Sequence, residues 1–387
     1  MRKKTRIWIF TLAQRFSSTR SIRFNSPFRY FPDDIEFTFV PSFKALATLA
    51  AVPDVVMFHR ILYPFPEAYK ILNFCRQHGI LAGLEVDDLI VGVPPEHPSY
   101  PGYSALKVQI EDFIRRMDFL TVSTQRLRQF LLAYNQNIYF LPNLIDRRVW
   151  DFPIKEKKNN GMIDIGYCGS PPHSYDFKPV IPAIRHILEK YRGKVVFKFV
   201  GCLPEGLRGL SNIIHTDVID PYGQYARFVK NSRFDIAIAA LEDNAFSQSK
   251  SNIKFLEYSI CAYPGIYSRV GPYIDSVIHD KTGLLVGNTV DEWGAAMERL
   301  IEDEQLRKRI GANAYECVTQ GYSLQKRFSE WVDTYRAIID QGRKKKNIVF
   351  SFAPIVSFGS YMAYAQFREF YYDLRRLFRA FIRVFRR

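Results

Sequence analysis

The chain of 387 residues has no closely spaced cysteine pair. Cys75, Cys168, Cys202, Cys261 and Cys317 are far apart, which excludes zinc-finger spacing and a CxxC redox motif and points to a reducing compartment. There is no GxGxxG fingerprint, no glycine-rich phosphate loop ending in Lys-Ser or Lys-Thr, and no nucleophile elbow. Long apolar runs are also missing. Ile7–Leu12 is too short to span a bilayer, and the apolar stretch 348–367 is interrupted by Pro354 and Gly359. Acids are the other scarcity. None precedes Asp33, and 39 acids face 54 bases, for a net charge of +15. That balance favours anionic partners: phosphates, nucleic acid or an acidic membrane surface.

What is present is apolar material in a regular order. A hydrophobic content of 47% is enough for sizeable cores, and the length suits two domains. Strand-like runs at 6–12, 53–59, 80–86, 119–123 and 138–141 alternate with helical patterns at 67–77 and 106–116. A polar segment, 151–161 (DFPIKEKKNNG), reads as a linker. The alternation then restarts, with strands at 162–168, 195–200, 234–240 and 265–267. Helices are expected at 179–191, 222–230, 251–262, 292–303 and 304–319. The rhythm predicts α/β architecture: two tandem Rossmann-like, doubly wound domains facing across a cleft. The boundaries expected are 1–150, the linker 151–161, 162–325, a helix at 326–340 that returns to the first domain, and a tail at 341–387.

The tail is a separate signal. Phe367, Phe370, Tyr371, Leu374, Phe378, Phe381 and Phe385 recur at three- and four-residue steps, with Arg368, Arg375, Arg376, Arg379, Arg383 and Arg386 between them. That is a basic amphipathic helix suited to an anionic membrane surface, to a partner protein or to packing back on the enzyme itself. Its apolar face argues against a nucleic-acid partner, for which no groove-reading or base-stacking motif is present.

The stretch Lys250-Ser-Asn-Ile-Lys254-Phe-Leu-Glu257 carries the most chemistry. On a helix starting near Ser251, Ile253, Leu256 and Ile260 form one face and Lys250, Lys254 and Glu257 another. The helix N-terminus beside Lys250 makes an anion site suited to a diphosphate, and Glu257 is placed to accept from two ribose hydroxyls. The alternative is a solvated charged face with an ordinary ion pair. Upstream, Gly166-Tyr-Cys-Gly169-Ser170-Pro-Pro-His173 follows a strand, where glycine lets a phosphate approach the backbone. His173 is a ligand contact or an exposed polar residue. Glu85, Asp87 and Asp88 end a strand and suit either a metal or base role or the holding of a basic loop. His59 and Arg60 end another strand. Ser123 and Thr124 read as helix caps, and Asn143 and Asp146 as hinge hydrogen-bonders.

From about residue 53 to 340 the sequence resembles the family-4-like glycosyltransferases, of the two-Rossmann-domain, GT-B type. The resemblance rests on VVMFHR (55–60), LEVDDLI (84–90), TVSTQRL (121–127), LPNLID (141–146), IGYCGSPPHSYDF (165–177), KSNIKFLEYSICAYPGIYSRVGPY (250–273) and HDKTGLLV (279–286), in that order. It implies a retaining hexosyltransferase that takes sugar from a UDP- or GDP-type donor, without a metal or other cofactor. It also implies that Lys250, Ser251 and Lys254 serve the phosphates, that Glu257 holds the ribose, and that Gly169, Ser170 and His173 line the donor site. In many relatives a second Glu stands eight positions before the ribose-binding one; here that position is Ser249. The segment 15–28 lacks the usual glycine-rich loop. Joined to the tail, the resemblance leads to a cytoplasmic enzyme peripheral to the inner membrane face. Its acceptor would be a glycan or lipid-linked molecule in cell-surface polysaccharide or glycolipid synthesis. The competing expectation is a non-catalytic, glycosyltransferase-like binding or scaffold protein.

Overall fold

A computed structural model describes residues 4–13, 15, 17–41, 52–60, 65–153 and 161–345. Most of the 151–161 linker and, beyond the end of one helix at Lys345, the amphipathic tail lie outside the described residues.

Two six-stranded sheets carry the fold. The first comprises β1 (Thr5–Phe10), β2 (Ile35–Val40), β3 (Val55–His59), β4 (Leu81–Val86), β5 (Phe119–Val122) and β6 (Ile138–Phe140). Its order is β2-β1-β3-β4-β5-β6, and every pairing is parallel. The second comprises β7 (Ile163–Cys168), β8 (Val195–Val200), β9 (Ile213–Thr216), β10 (Ile236–Ala239), β11 (Gly265–Ser268) and β12 (Leu284–Val286). Its order, β12-β11-β10-β7-β8-β9, is that of the doubly wound dinucleotide fold. The strands β2, β9 and β12 were not expected from patterning.

Parallel strands need cover on both faces, and period-two alternation supplies it. In β1, Trp8 and Phe10 join one core, and Ile7 and Ile9 join another on the opposite face. β3 divides likewise, with Val56 and Phe58 on one side and Val55 and Met57 on the other. In the second sheet Ile236 and Ile238 enter one cluster, Ala237 and Ala239 the other.

The helix Leu324–Lys345 packs Trp331, Tyr335, Ile338 and Ile339 into the core beneath the first sheet, although it follows the second in sequence. The chain therefore crosses between the sheets twice, and the crossings lie side by side. Ile145 donates its N–H to Tyr322 O at 2.8 Å and accepts from Leu324 N–H at 2.9 Å. Asp146 accepts from Tyr30 Oη at 3.1 Å and Gln325 Nε2 at 2.8 Å, and Asn143 accepts from Arg23 at 2.8 Å. Both act in the hydrogen-bonding role expected of them.

Candidate donor cleft

The carboxyl ends of β3, β4, β7, β8 and β10 point at one another across a cleft of about 480 Å³. Arg60, Asp87 and Asp88 line it from the first sheet, and Gly169, Ser170, His173, Gly201 and Leu241 from the second. Ligands of doubly wound sheets bind in this position, where strand order reverses. Every residue singled out for the donor site lines the cleft: Gly169, Ser170, His173, Lys250, Ser251, Lys254 and Glu257.

The helix that carries Glu257 runs Ile253–Ile260, two residues later than expected. Lys250 is therefore not on its face. It sits at the end of a turn that follows the short helix Ala245–Gln248, and its N–H donates to Ser247 O at 3.2 Å. The helix itself is fixed by Tyr258, whose hydroxyl accepts from Cys168 N–H at 3.1 Å and donates to Ile238 O at 3.3 Å, at the ends of β7 and β10.

The solvated-face alternative fails on burial, since Glu257 is 2% exposed and Lys250 9%. Glu257 already has three donors. Tyr222 Oη reaches one carboxylate oxygen at 3.2 Å; Tyr225 Oη and Lys254 Nζ reach the other at 2.8 and 2.9 Å. A carboxylate has about four acceptor positions, so one remains rather than the two expected for a pair of ribose hydroxyls. Tyr222 and Tyr225 were not identified from sequence, because tyrosines three apart on a helix look like core.

Lys250 is the opposite case. No carboxylate lies within ion-pair distance of it among the described residues. Its Nζ sits 4.7 Å from the Phe246 ring centroid and 3.5 Å from His173 Nδ1. That nitrogen is committed to Asp176 Oδ2 at 2.8 Å, so it carries the proton and Nε2 is left as an acceptor. Burial, together with the charge of Lys250, pushes the imidazole of His173 below its usual range. His97, also missed from sequence, comes from the first-sheet half and packs against Tyr175 and Phe246 at 5.3 and 5.1 Å. Burial and Lys250 push it down to about 4. Burial and the neighbouring lysine thus disfavour the charged form of both imidazoles.

The residues at the ends of β3 and β4 have structural partners. Glu85 is fully buried, bound by Arg23 Nε at 2.7 Å and by the Thr121 hydroxyl. Asp87 and Asp88 hold Arg60, which forks onto Asp87 at 2.5 and 2.6 Å and reaches Asp88 at 3.1 Å. Burial raises the Asp87 carboxyl, and the Arg60 guanidinium more than offsets this. His59 is buried, 2.8 Å from the Thr11 hydroxyl. Thr124 caps the helix Gln125–Leu131 by accepting from Leu127 N–H; Ser123 donates instead to Asp87 O. Ser249 is buried, with its hydroxyl on Phe246 O at 2.8 Å. Among the described residues no cluster of three His, Cys, Asp or Glu side chains is arranged to hold a metal ion, and no helix is long and apolar enough to cross a membrane.

Known proteins share parts of this sequence and its fold. Residues 183–333 match the glycosyl transferase-like family. Over 87 residues, 22% of this chain, the sequence is 31% identical to a D-inositol 3-phosphate glycosyltransferase of Arthrobacter sp. (strain FB24); the match spans 20% of that relative. The fold is of the GT-B type. Sucrose-phosphate synthase of Thermosynechococcus elongatus superposes with a TM-score of 0.65 at 13% identity, over 87% of this chain and 100% of that one. Anabaena HepE in complex with UDP-glucose superposes at 0.63 with 11% identity, over 86% and 99%.

Proposed function

We propose that the chain is a glycosyltransferase that takes a sugar from a nucleotide-diphosphate donor of UDP or GDP type, with retention and without a metal. The observation that carries this reading is Lys250: a lysine only 9% exposed, with no carboxylate partner among the described residues, lining a cleft beside the tyrosine-held Glu257. An uncompensated buried cation is unfavourable unless an anion arrives to meet it. A leaving diphosphate develops negative charge, and Lys250, Lys254 and the free amides at the start of the Ile253–Ile260 helix are placed to stabilise it. Glu257 has one acceptor position left for a ribose hydroxyl, and Gly169 and Ser170 bring backbone close to the ligand. The acceptor in this reading is a glycan or a lipid-linked molecule. The basic tail would hold the enzyme on the anionic inner face of a membrane, for surface polysaccharide or glycolipid synthesis.

Ser249 favours the second reading, a non-catalytic binding protein, because no carboxylate stands at that position and its hydroxyl is turned to the backbone. Thermal melting with UDP-, GDP-, ADP- and dTDP-sugars separates the two. We expect one nucleotide class to raise the melting temperature of the wild type by mass action, and Glu257→Ala to abolish the shift. A folded wild type that responds to none of them supports the scaffold reading.

A further inference from the structure

The turn that ends in Lys250 belongs to the second-sheet half of the chain, yet residues of the first-sheet half hold it. The Thr124 hydroxyl donates to Ser249 O at 2.8 Å, one residue before Lys250. Arg126 forks onto the Asp275 carboxylate at 2.7 and 2.9 Å, and its remaining terminal nitrogen reaches Gln248 Oε1 at 3.3 Å. The same Gln248 oxygen accepts from Gly271 N–H at 3.1 Å, and its amide donates to Asp243 at 2.6 Å. Phe246 enters the hydrophobic core of the first sheet, and the Lys250 ammonium sits over its ring. The backbones at Gln248 and Gly271 are closely apposed, since a Cβ on Gly271 would lie 2.2 Å from Gln248 O.

These contacts have no evident use in the second-sheet half alone. Those of Thr124, Arg126 and the first-sheet core join the two halves beside the cleft, and they fall on Phe246, Gln248, Ser249 and Asp275, around the turn that ends in Lys250. We propose that the first domain positions Lys250: Thr124 and Arg126 form a latch across the cleft that holds the turn and fixes the ammonium where a diphosphate must sit. Thr124 and Arg126 are positioning residues in this scheme, acting through the Ser249 carbonyl and the Gln248 side chain. The inference rests on the donor-site reading above. By linkage, diphosphate binding and closure of the latch favour each other to the same extent.

The test uses the full chain, with inorganic pyrophosphate and UDP titrated calorimetrically, and hydrogen exchange followed over residues 247–254. Removing one polar contact that orients a charged group weakens binding by about tenfold. Thr124→Val is expected to do so for both ligands, and Thr124→Ser to restore it. Arg126→Asp leaves the helix cap intact and is expected to weaken binding similarly, with recovery in the charge-swapped pair Arg126→Asp/Asp275→Arg. Turn amides exchange faster in the two weakened variants. Wild-type affinity in both, wild-type exchange in the turn, or no recovery by the serine and the swapped pair each overturns the latch. A wild type that binds neither ligand overturns the donor-site reading, and the latch with it.

Discussion

Lys250, buried, and Lys254, half-buried, line one cleft, yet they stand in opposite electrostatic positions. Lys254 is paired with Glu257 at 2.9 Å, and Lys250 has no carboxylate within reach among the described residues. Removing one member of a buried pair strands the other, whereas removing an unpaired buried cation relieves a desolvation penalty. Lys254→Met is therefore expected to lower the unfolding free energy by about 1–3 kcal/mol, since two tyrosine donors alone must then hold Glu257. Lys250→Met is expected to leave stability unchanged or raise it by about 1 kcal/mol. Both changes are expected to weaken UDP binding. Urea unfolding without ligand, followed by UDP titration, reads the two effects separately. A Lys250→Met protein as destabilised as Lys254→Met would show that the first lysine is structural, and the anion-site reading would lose its main support.

At the scale of elements, the sequence showed most of the fold and part of the site. Strands β3, β4, β5, β7 and β8 were legible because each is a short apolar run closed by Asp, Ser, Gly or His. The strand β2 (IEFTFV) was missed although it alternates, because Glu and Thr on its mid-strand positions mimic a loop. The helix Ile253–Ile260 was read one turn too long. The local spacing of Lys250, Lys254 and Glu257 fits a helical face, but Phe246 packs in the core of the first sheet and Ser249 O bonds Thr124, and the chain there makes a turn. No local pattern records such a contact, and the same reason hid Arg126. Glycines divide likewise. Gly201, at the end of β8, has φ of +81°, and a Cβ there would lie 2.3 Å from Gly169 O. Strand ends that meet this closely set the floor of the cleft. Gly201→Ala combines a left-handed backbone with a backbone clash, so it is expected to lower stability by about 2 kcal/mol or more and to weaken nucleotide binding by displacing Gly169. Melting with and without UDP checks both. An alanine variant with wild-type melting would mean that the loop moves freely and does not shape the site.

At the scale of the molecule, Arg23 ties together parts of the chain that sequence alone leaves separate. It donates to Glu85 on β4 at 2.7 Å, to Leu141 O at 2.7 Å and to Asn143 at 2.8 Å where the chain leaves the first sheet. It also packs against Trp331 of the returning helix, 4.9 Å from the ring centroid. Alternation explains the meeting: Leu84 and Val86 face the helical core, so Glu85 points to the other face, where the segment from Ser18 to Phe28 and the Leu324–Lys345 helix close over it. The segment 15–28, which lacks the glycine-rich loop expected from the resemblance, supplies a buried cation where the chain leaves the first sheet. Arg23→Met removes that cation while Glu85 stays buried with only the Thr121 hydroxyl, and the Leu141 carbonyl and the Asn143 side-chain oxygen lose their donor. The expected loss is about 3–5 kcal/mol, the range for breaking a buried ion pair. Arg23→Met/Glu85→Leu removes both charges and is expected to recover part of it, because an apolar pair of similar volume replaces the ions. Urea denaturation of wild type, single and double variants gives the comparison. A single variant within about 1 kcal/mol of wild type would mean that the Arg23 contacts are not a keystone of the fold. A double variant no better than the single would assign the loss to the Leu141 and Asn143 contacts, and so to the crossing of the chain rather than to the ion pair beneath the sheet.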